Sequence, residues 1–221
     1  MIRFSSRRCV LLSVLLLAGV PAVHAQAPTN PNLNAQLLVA ARQGDMGQIE
    51  RLLTQGAAPN SRNRLGKTSL LIASEKGNEA LAARMLAAGA DVTQASLEGV
   101  TPLMAASYGG HARLVKRLLA AGATTAPVDR MNKPAIVYAA GQGHAAVLEA
   151  LLTSGVDVNA TYEHGLTVLM WAAGQGHADA AKLLLTRHAD VALRDDRGMT
   201  ALDIARQTGQ NALVEVLRAA P

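Results

Sequence analysis

Residues 99–123 read GVTPLMAASYGGHARLVKRLLAAGA, and this stretch carries the signals for two short helices. Thr101 stands where its hydroxyl can accept a hydrogen bond from the free N–H groups at a helix start. Pro102 takes the next position, where its missing N–H costs nothing. The Gly109-Gly110 pair then stops the first helix. These signals predict a short helix that begins at Pro102.

Residues 111–119 predict a second helix, because their apolar side chains fall on one stripe of an amphipathic helix. Gly122 ends it by supplying a left-handed backbone. Such a unit cannot stand alone, since its first helix is shorter than the ~12–15 residues that an isolated helix needs. Its stability must come from stacking on neighbouring units.

The same signals recur every 33 residues. Three columns share this period: the glycine after the first helix, the threonine before it, and the apolar pair that ends the second helix. Their members are Gly44, Gly77, Gly110, Gly143, Gly176 and Gly209; Thr68, Thr101, Thr167 and Thr200, with Pro134 in the remaining place; and Leu52-Leu53, Met85-Leu86, Leu118-Leu119, Leu151-Leu152 and Leu184-Leu185. The predicted fold class is therefore an all-α repeat solenoid.

The residue types in these columns resemble those of the ankyrin-repeat family. The resemblance rests on Thr101-Pro102-Leu103-Met104-Ala105-Ala106 with Gly110-His111, on Thr167-Val168-Leu169-Met170-Trp171-Ala172-Ala173 with Gly176-His177, and on Gly155-Val156-Asp157-Val158-Asn159. It covers residues 34–221 and implies about six helix-turn-helix units joined by β-hairpin-like loops. The units are expected at 34–63, 64–96, 97–129, 130–162, 163–195 and 196–221, with the first and last as caps.

Two units depart from the family pattern. In unit four, Asn132-Lys133-Pro134 replaces Gly-x-Thr, so a positive φ falls on Asn132 and Pro134 offers no capping oxygen. The preceding Thr124-Thr125-Ala126-Pro127 lacks the usual Asp-x-Asn, and we expect the hairpin between units three and four to be the least regular. In unit five, His188 replaces the helix-ending glycine, at a cost of roughly 1 kcal/mol.

The N-terminus has the three parts of a secretory signal. Arg3, Arg7 and Arg8 form a basic start, Cys9 to Val20 is an uncharged apolar run, and small residues precede a cleavage site expected after Ala25. Residues 26–33 are then a flexible segment. The mature protein is expected in the periplasm or secreted, without membrane insertion, and the choice between general secretory and twin-arginine export stays open.

Removal of residues 1–25 changes the charge balance. The signal contains three arginines and no acidic residue. The mature chain therefore has 18 basic and 16 acidic residues, and its net charge falls from +5 to +2. A nucleic-acid partner is therefore not expected. Cys9, the sole cysteine, leaves as well, so the mature chain can form no disulfide.

The polar residues give no sign of a metal, a cofactor or a catalytic group. His111, His144 and His177 form a column, but stacked helices lie about 8–10 Å apart, too far for neighbours to share one zinc ion. Residues 141–146 fit a dinucleotide fingerprint formally, yet they join two helices rather than a strand and a helix. No Ser-His-Asp or Cys-His arrangement stands out. The expectation is no enzyme, no cofactor and no metal.

In the ankyrin family, partners bind the hairpin tips and the inner-helix surface. The matching residues here are expected to bind a protein, because they mix apolar side chains with both signs of charge. They are Arg64, Leu65, Lys67, Glu75, Lys76, Leu97, Glu98, Val100, Tyr108, Arg130, Met131, Lys133, Gln142, Glu163, His164, Leu166 and Arg197. Trp171 and Tyr138 share one column and are expected to be partly buried between inner helices.

The sequence thus predicts an exported, monomeric ankyrin scaffold that mediates protein–protein interaction and assists or protects a periplasmic client. Two alternatives stay open. One is a secreted effector that binds a host protein. It differs from the periplasmic scaffold only in where the protein goes after export. The other is a hydrolase on a repeat scaffold, which would need a convergent pair of titratable groups in a pocket.

Overall fold

The computed structural model describes residues 30–220, which form twelve α-helices and one 3-10 turn. The helices are α1 Pro31–Gln43, α2 Met46–Thr54, α3 Ser69–Lys76, α4 Glu79–Ala87, α5 Pro102–Tyr108, α6 Ala112–Ala120, α7 Ala135–Gly141, α8 Ala145–Thr153, α9 Val168–Gln175, α10 Ala178–Thr186, α11 Ala201–Gln207 and α12 Asn211–Arg218, with the 3-10 turn at Glu163–Gly165. The predicted signal peptide and its cleavage site lie outside the described residues, as do residues 26–29 and Pro221.

The helices stack in two layers. The odd-numbered helices pack against one another in the first layer, and α4, α6, α8, α10 and α12 do so in the second. The part of the chain from 30 to 220 contains no strand, and its one isolated β-bridge joins Thr161 to Thr167. The predicted all-α repeat solenoid is confirmed.

The core lies between the two layers. Large side chains of the second layer, such as Leu118 and Leu151, have no exposed surface. Opposite them, one alanine per unit from the second unit onward is also fully buried, which lets the inner helices approach closely. These alanines are Ala73, Ala106, Ala139, Ala172 and Ala205.

Threonine caps start four of the inner helices. The Thr101 hydroxyl accepts a hydrogen bond from the Met104 N–H at 3.2 Å, and Thr68, Thr167 and Thr200 do the same for their own helices. Pro134 stands in the same position before α7 and makes no side-chain cap. Both predictions for these positions are confirmed.

The loops between units are tight hairpins with one recurring hydrogen-bond pattern. The backbone N–H that opens each hairpin donates to the carbonyl four residues later, as from Ser96 to Val100 at 2.9 Å. In four of the five hairpins, the side chain of the opening residue also accepts from the backbone N–H groups two and four positions on. These opening residues are Asn63, Ser96, Asp129 and Asp195.

Tyr162 opens the remaining hairpin and differs from the others. Its phenol cannot reach back to accept these short-range bonds, and the turn adopts a 3-10 form with His164 at φ 61°. The hairpin that departs most from the common pattern is therefore the one that opens unit five. The prediction that placed the least regular hairpin between units three and four was wrong at the tip, because Asp129 supplies the required acceptor there.

The region between units three and four does lack one link. In two of the loops between units, an asparagine side chain bridges to the next loop, as where the Asn159 amide donates to His188 O at 3.3 Å and accepts from Asp190 N at 2.8 Å. Asn60 bridges to Gly89 and Asp91 in the same way. Thr93 holds this position between units two and three, where its hydroxyl donates to Asp91 of the same loop. Ala126 holds it between units three and four, and its methyl group cannot make these bonds.

The first helix begins earlier than the predicted unit 34–63. Asn30 caps it by accepting from the Asn32 N–H at 3.0 Å, and Pro31 takes the first helical position. Pro31–Leu33 therefore belong to α1 and not to the predicted flexible segment 26–33. Among residues 30–220, no helix combines the length and the apolar character that crossing a membrane requires.

Candidate interaction surface

The hairpin tips present exposed apolar side chains side by side. Leu65, Leu97 and Met131 belong to three successive hairpins, and their exposed fractions are 56, 58 and 55 %. The Leu97 N–H donates to the Leu65 carbonyl at 3.0 Å, and the Arg130 N–H donates to the Glu98 carbonyl at the same distance. These bonds fix each tip against the next, so the three hairpins form a continuous ridge, the tip ridge of residues 63–67, 96–100 and 129–133.

The tip ridge is interrupted before unit five. Within residues 30–220, the Glu163 N–H makes no bond to the Met131 carbonyl that would extend the pattern. The pattern resumes where the Asp196 N–H donates to the His164 carbonyl at 3.0 Å. The break coincides with the altered turn after Tyr162, in which His164 has a positive φ.

Ion pairs neutralise several charges on this surface. The Lys67 ammonium lies 2.5 Å from Glu75, and Arg130 lies 3.3 Å from Glu98. All four side chains are partly or largely exposed, so each pair contributes no more than about 1 kcal/mol to folding stability. They neutralise Lys67 and Arg130 locally, whereas no ion pair among residues 30–220 includes the other two cations of the tip ridge, Arg64 and Lys133.

Asp195 is a buried carboxylate at the last hairpin. Burial alone raises its pKa, but hydrogen bonds from the Met199 N–H, the Arg197 guanidinium and the Arg197 N–H outweigh it. The pKa of Asp195 therefore lies below its ordinary value of 3.8. Arg197 reaches it at 2.7 Å, so the charge on this predicted partner-binding arginine is already engaged.

Three aromatic residues cluster on the inner helices beside the tip ridge. The rings of Tyr108 and Tyr138 meet edge to face, with centroids 5.8 Å apart. The Tyr138 hydroxyl donates to the buried Asp129 carboxylate. Burial, and next this hydrogen bond, raise the pKa of Tyr138 above its ordinary value of 10.0. The Lys133 ammonium lies 4.7 Å from the centroid of the Trp171 ring, a cation–π contact.

These side chains surround an open hollow of about 300 Å³, called the Lys133 hollow here. Its walls come from the end of α5, the hairpin at Asp129–Lys133, α7 and α9. They include Tyr108, Met131, Lys133, Tyr138, Gln142 and Trp171. The volume is at the lower end of the ~300–1,000 Å³ of pockets that enclose a small molecule, which suits one or two side chains of a partner.

The structure places the seventeen predicted partner-binding residues on accessible surface. Thirteen are exposed, and four are half-buried, namely Lys67, Val100, Lys133 and Leu166. Four of the set line the Lys133 hollow together: Tyr108, Met131, Lys133 and Gln142. Glu163, His164 and Leu166 stand beyond the break in the tip ridge. The binding role of the set stays a prediction.

Sequence reasoning identified some walls of the hollow and missed others. Tyr138 and Trp171 are half-buried as predicted. Gly141 and Gln175 also line the hollow and were not predicted. A signal for the hollow was present, because the position held by Tyr108 in unit three becomes Gly141 in unit four, which leaves space on α7.

The histidine column makes contacts between units. His144 Nε2 lies 2.9 Å from the Tyr108 carbonyl, and His177 Nε2 lies 2.9 Å from the Gly141 carbonyl. Each ring thus joins its own unit to the end of the preceding inner helix. Among residues 30–220, no group of three or more histidine, cysteine or acidic side chains is placed to hold a metal ion.

A second hollow of about 480 Å³ lies at the first unit. It is lined by Leu38, the 49 % exposed Val39 and Arg42 of α1, and by Arg62 of the following loop. Sequence reasoning missed it because Pro31, which forms part of its wall, was assigned to the flexible segment.

Stacked helix pairs, rigid hairpin tips and an accessible inner surface define a repeat array built for contact with another macromolecule. The family model described as "Ankyrin repeats (3 copies)" matches residues 37–129, 72–162 and 136–220, which together cover most of the sequence. The chain belongs to the ankyrin-repeat family. It is also similar to the human mitochondrial disaggregase, with 40 % identity over 58 residues. That match covers 26 % of this chain and only 8 % of the length of the human protein.

Proposed function

We propose that this protein is an exported ankyrin scaffold that binds a client protein in the periplasm or outside the cell and assists or protects it. The family is typically non-catalytic and supports a role in protein–protein interaction. The basic and apolar N-terminal residues support export. The similarity to a disaggregase covers too little of that protein to carry its activity over.

The observation that carries the proposal is the tip ridge with the aromatic cluster beside it. Leu65, Leu97, Met131 and Tyr108 each expose more than half of their side chains on a framework held by backbone hydrogen bonds. Exposed apolar and aromatic groups of this size mark interaction sites, and a rigid framework lowers the entropy lost on binding. Binding hot spots are enriched in tyrosine, tryptophan and arginine. Tyr108 of unit three and Arg130 of unit four place two of these residue types in neighbouring units.

The charge pattern favours a protein partner over a nucleic acid. A phosphate-binding track needs unpaired basic side chains in series. On the tip ridge, Lys67 and Arg130 are each paired with a glutamate. The two remaining cations, Arg64 and Lys133, belong to the first and the last hairpin of the ridge and so do not form a series. The mixed surface that results is typical of protein interfaces.

The test is affinity capture from the exported fraction with mature protein and with a double variant, Arg130→Glu with Met131→Ala. The double variant removes a cation and an apolar group from the last hairpin of the tip ridge, beside the aromatic cluster, and we expect it to recover less client. Arg113→Glu with Lys116→Ala is the matched control, because both residues are exposed on the outer helix α6. Circular dichroism checks that all three proteins are folded.

Each outcome decides between functions. Equal client recovery by the double variant and the control would contradict the assigned surface. Retention of the full-length chain in the cytoplasm, without cleavage after Ala25, would contradict export. A client found only in a host cell favours a secreted effector, and turnover of a small ester or peptide by the pure protein favours the hydrolase alternative.

A further inference from the structure

Lys67 and Lys133 occupy the same position in units two and four, yet their surroundings differ. Lys67 is neutralised by Glu75, eight residues later, at 2.5 Å. The residue eight positions after Lys133 is Gly141, which has no side chain. Unit four therefore keeps the cation of unit two and lacks its carboxylate.

No substitute for that carboxylate is present in the described part of the chain. Among residues 30–220, none of the ion pairs includes Lys133. Its ammonium rests instead on the face of Trp171. The buried acid of the same hairpin, Asp129, uses its oxygens to accept from the Tyr138 hydroxyl and from the Met131 and Lys133 N–H groups. The positive charge thus faces the hollow without a negative counterpart.

The other walls of the Lys133 hollow are apolar or neutral. Tyr108 and Met131 are both 55 % exposed at its rim. Gln142 and Gln175 can each donate or accept hydrogen bonds but carry no charge. A ligand that complements these walls carries one negative charge next to one large apolar group.

We infer that the Lys133 hollow binds a client segment in which an aspartate or glutamate stands beside a large apolar or aromatic residue. The client carboxylate takes the place over Gly141 that Glu75 takes in unit two and pairs with Lys133. The neighbouring apolar side chain packs against Tyr108 and Met131. This inference rests on the proposed function, since it names the chemistry of the partner at that surface.

The test compares two peptides with blocked ends, Gly-Ser-Phe-Glu-Ser-Gly and Gly-Ser-Phe-Gln-Ser-Gly, so that the glutamate side chain is the sole carboxylate. Trp171 is the one tryptophan of the sequence and forms a wall of the hollow, so its fluorescence reports binding directly. We expect the glutamate peptide to bind roughly three- to tenfold more tightly at low salt, because one partly exposed charge pair distinguishes them. Added salt should narrow the difference.

Two substitutions at Gly141 distinguish the effect of a negative charge from that of side-chain size on peptide binding. A Cβ atom there would lie 4.0 Å from the Trp171 ring, an ordinary contact, and Gly141 has no positive φ. Gly141→Glu restores the carboxylate of unit two, so the preference for the glutamate peptide should disappear. Gly141→Gln has the same size without the charge, so the preference should remain even if both peptides bind more weakly. Lys116→Glu, an exposed charge reversal on the outer helix α6 and outside the hollow, should leave the preference unchanged.

The results separate this inference from the proposed function. Equal binding of the two peptides by the wild type, no saturable fluorescence change with either, or an unchanged preference in Gly141→Glu overturns the inference. A client that is captured equally by wild type and Gly141→Glu also overturns it, while the scaffold function stands. If no client is captured but the peptides show the expected preference, the hollow is supported and the proposed function fails.

Discussion

The imidazole ring of His177 packs so closely on Gly143 that a Cβ atom at position 143 would lie 2.6 Å from His177 Nδ1. The same relationship joins Gly110 to His144, where the separation would be 2.7 Å. Each glycine also has a positive φ, 73° in both cases. Gly110 and Gly143 therefore have two functions: each ends an inner helix, and each leaves room for the histidine ring of the next unit.

Two alanine substitutions only two residues apart should have opposite effects. Gly143→Ala places a methyl group in a left-handed backbone and against the His177 ring, so it should lower the free energy of unfolding by at least ~1–2 kcal/mol. Gly141→Ala lies in α7, where the new methyl group makes only an ordinary 4.0 Å contact with the Trp171 ring, so it should be neutral or stabilising by up to ~0.5–1 kcal/mol. Urea unfolding midpoints followed by circular dichroism measure both, and equal midpoints would contradict the steric account.

Most of the fold was predictable from the sequence because its signals are local and repeated. Thr101 caps α5 through an atom three residues away, and a pattern that acts over three residues can be found in sequence alone. The start of α1 was missed although Asn30-Pro31 is itself a cap signal. The later inner helices begin 33 residues apart, at Ser69, Pro102 and Ala135, so the period places the first start at Gln36 and not at Pro31.

The candidate site was less predictable than the fold. The tip residues could be read column by column, since each hairpin repeats the same geometry. The Lys133 hollow could not, because it depends on distances between units three, four and five, such as that from Lys133 to Trp171. The altered turn at His164 depends on a missing acceptor at Tyr162, and its effect appears only when neighbouring tips are compared.

His188→Gly should stabilise the array. His188 ends α10 with φ 63°, in the place where the four preceding units have Gly56, Gly89, Gly122 or Gly155. Its side chain is exposed, so glycine removes the left-handed strain without loss of packing. The net gain should be roughly 0.5–1 kcal/mol, since the greater freedom of glycine in the unfolded chain offsets part of the relief. Thermal unfolding should show a higher midpoint.

Gly155→Ala is the matched control for this effect in unit four. Gly155 has φ 101°, and nothing lies within 4 Å of a Cβ atom built there. The substitution should destabilise the array through backbone strain alone, by about 1 kcal/mol. If His188→Gly lowers the midpoint, or Gly155→Ala leaves it unchanged, a positive φ at this position is not costly.

Asp195→Asn should flatten the acid dependence of stability. Since the pKa of Asp195 is lower in the folded state, the unfolded chain binds the proton first as pH falls. The stability that the carboxylate contributes is present above the unfolded-state pKa, near 3.8, and is lost as pH falls through the folded-state value. Asparagine keeps the two backbone bonds, as Asn63 does in its own hairpin, but it does not titrate.

The measurement is the urea midpoint at pH 7 and at pH 3 for wild type and Asp195→Asn. Wild type should be the more stable at pH 7, and the difference should shrink at pH 3. Asp203→Asn should show the same narrowing, because hydrogen bonds from Thr200 lower the pKa of Asp203 in the folded state. If the urea midpoints of wild type and Asp195→Asn differ by the same amount at both pH values, the pKa of Asp195 does not change on folding.

Tyr138→Phe should destabilise the array although it removes one oxygen atom only. The Tyr138 hydroxyl donates to Asp129, a carboxylate that is only 8 % exposed, and its loss leaves one oxygen of that buried group without a donor. A buried acceptor left unsatisfied costs about 1–3 kcal/mol. Tyr108→Phe makes the same chemical change in the other ring of the edge-to-face pair. The exposed Tyr108 hydroxyl makes no hydrogen bond to residues 30–220, so its removal should cost less than ~0.5 kcal/mol. Urea midpoints compare the two variants. Equal effects would mean that the ring contact, and not the bond to Asp129, anchors Tyr138 beside the hollow.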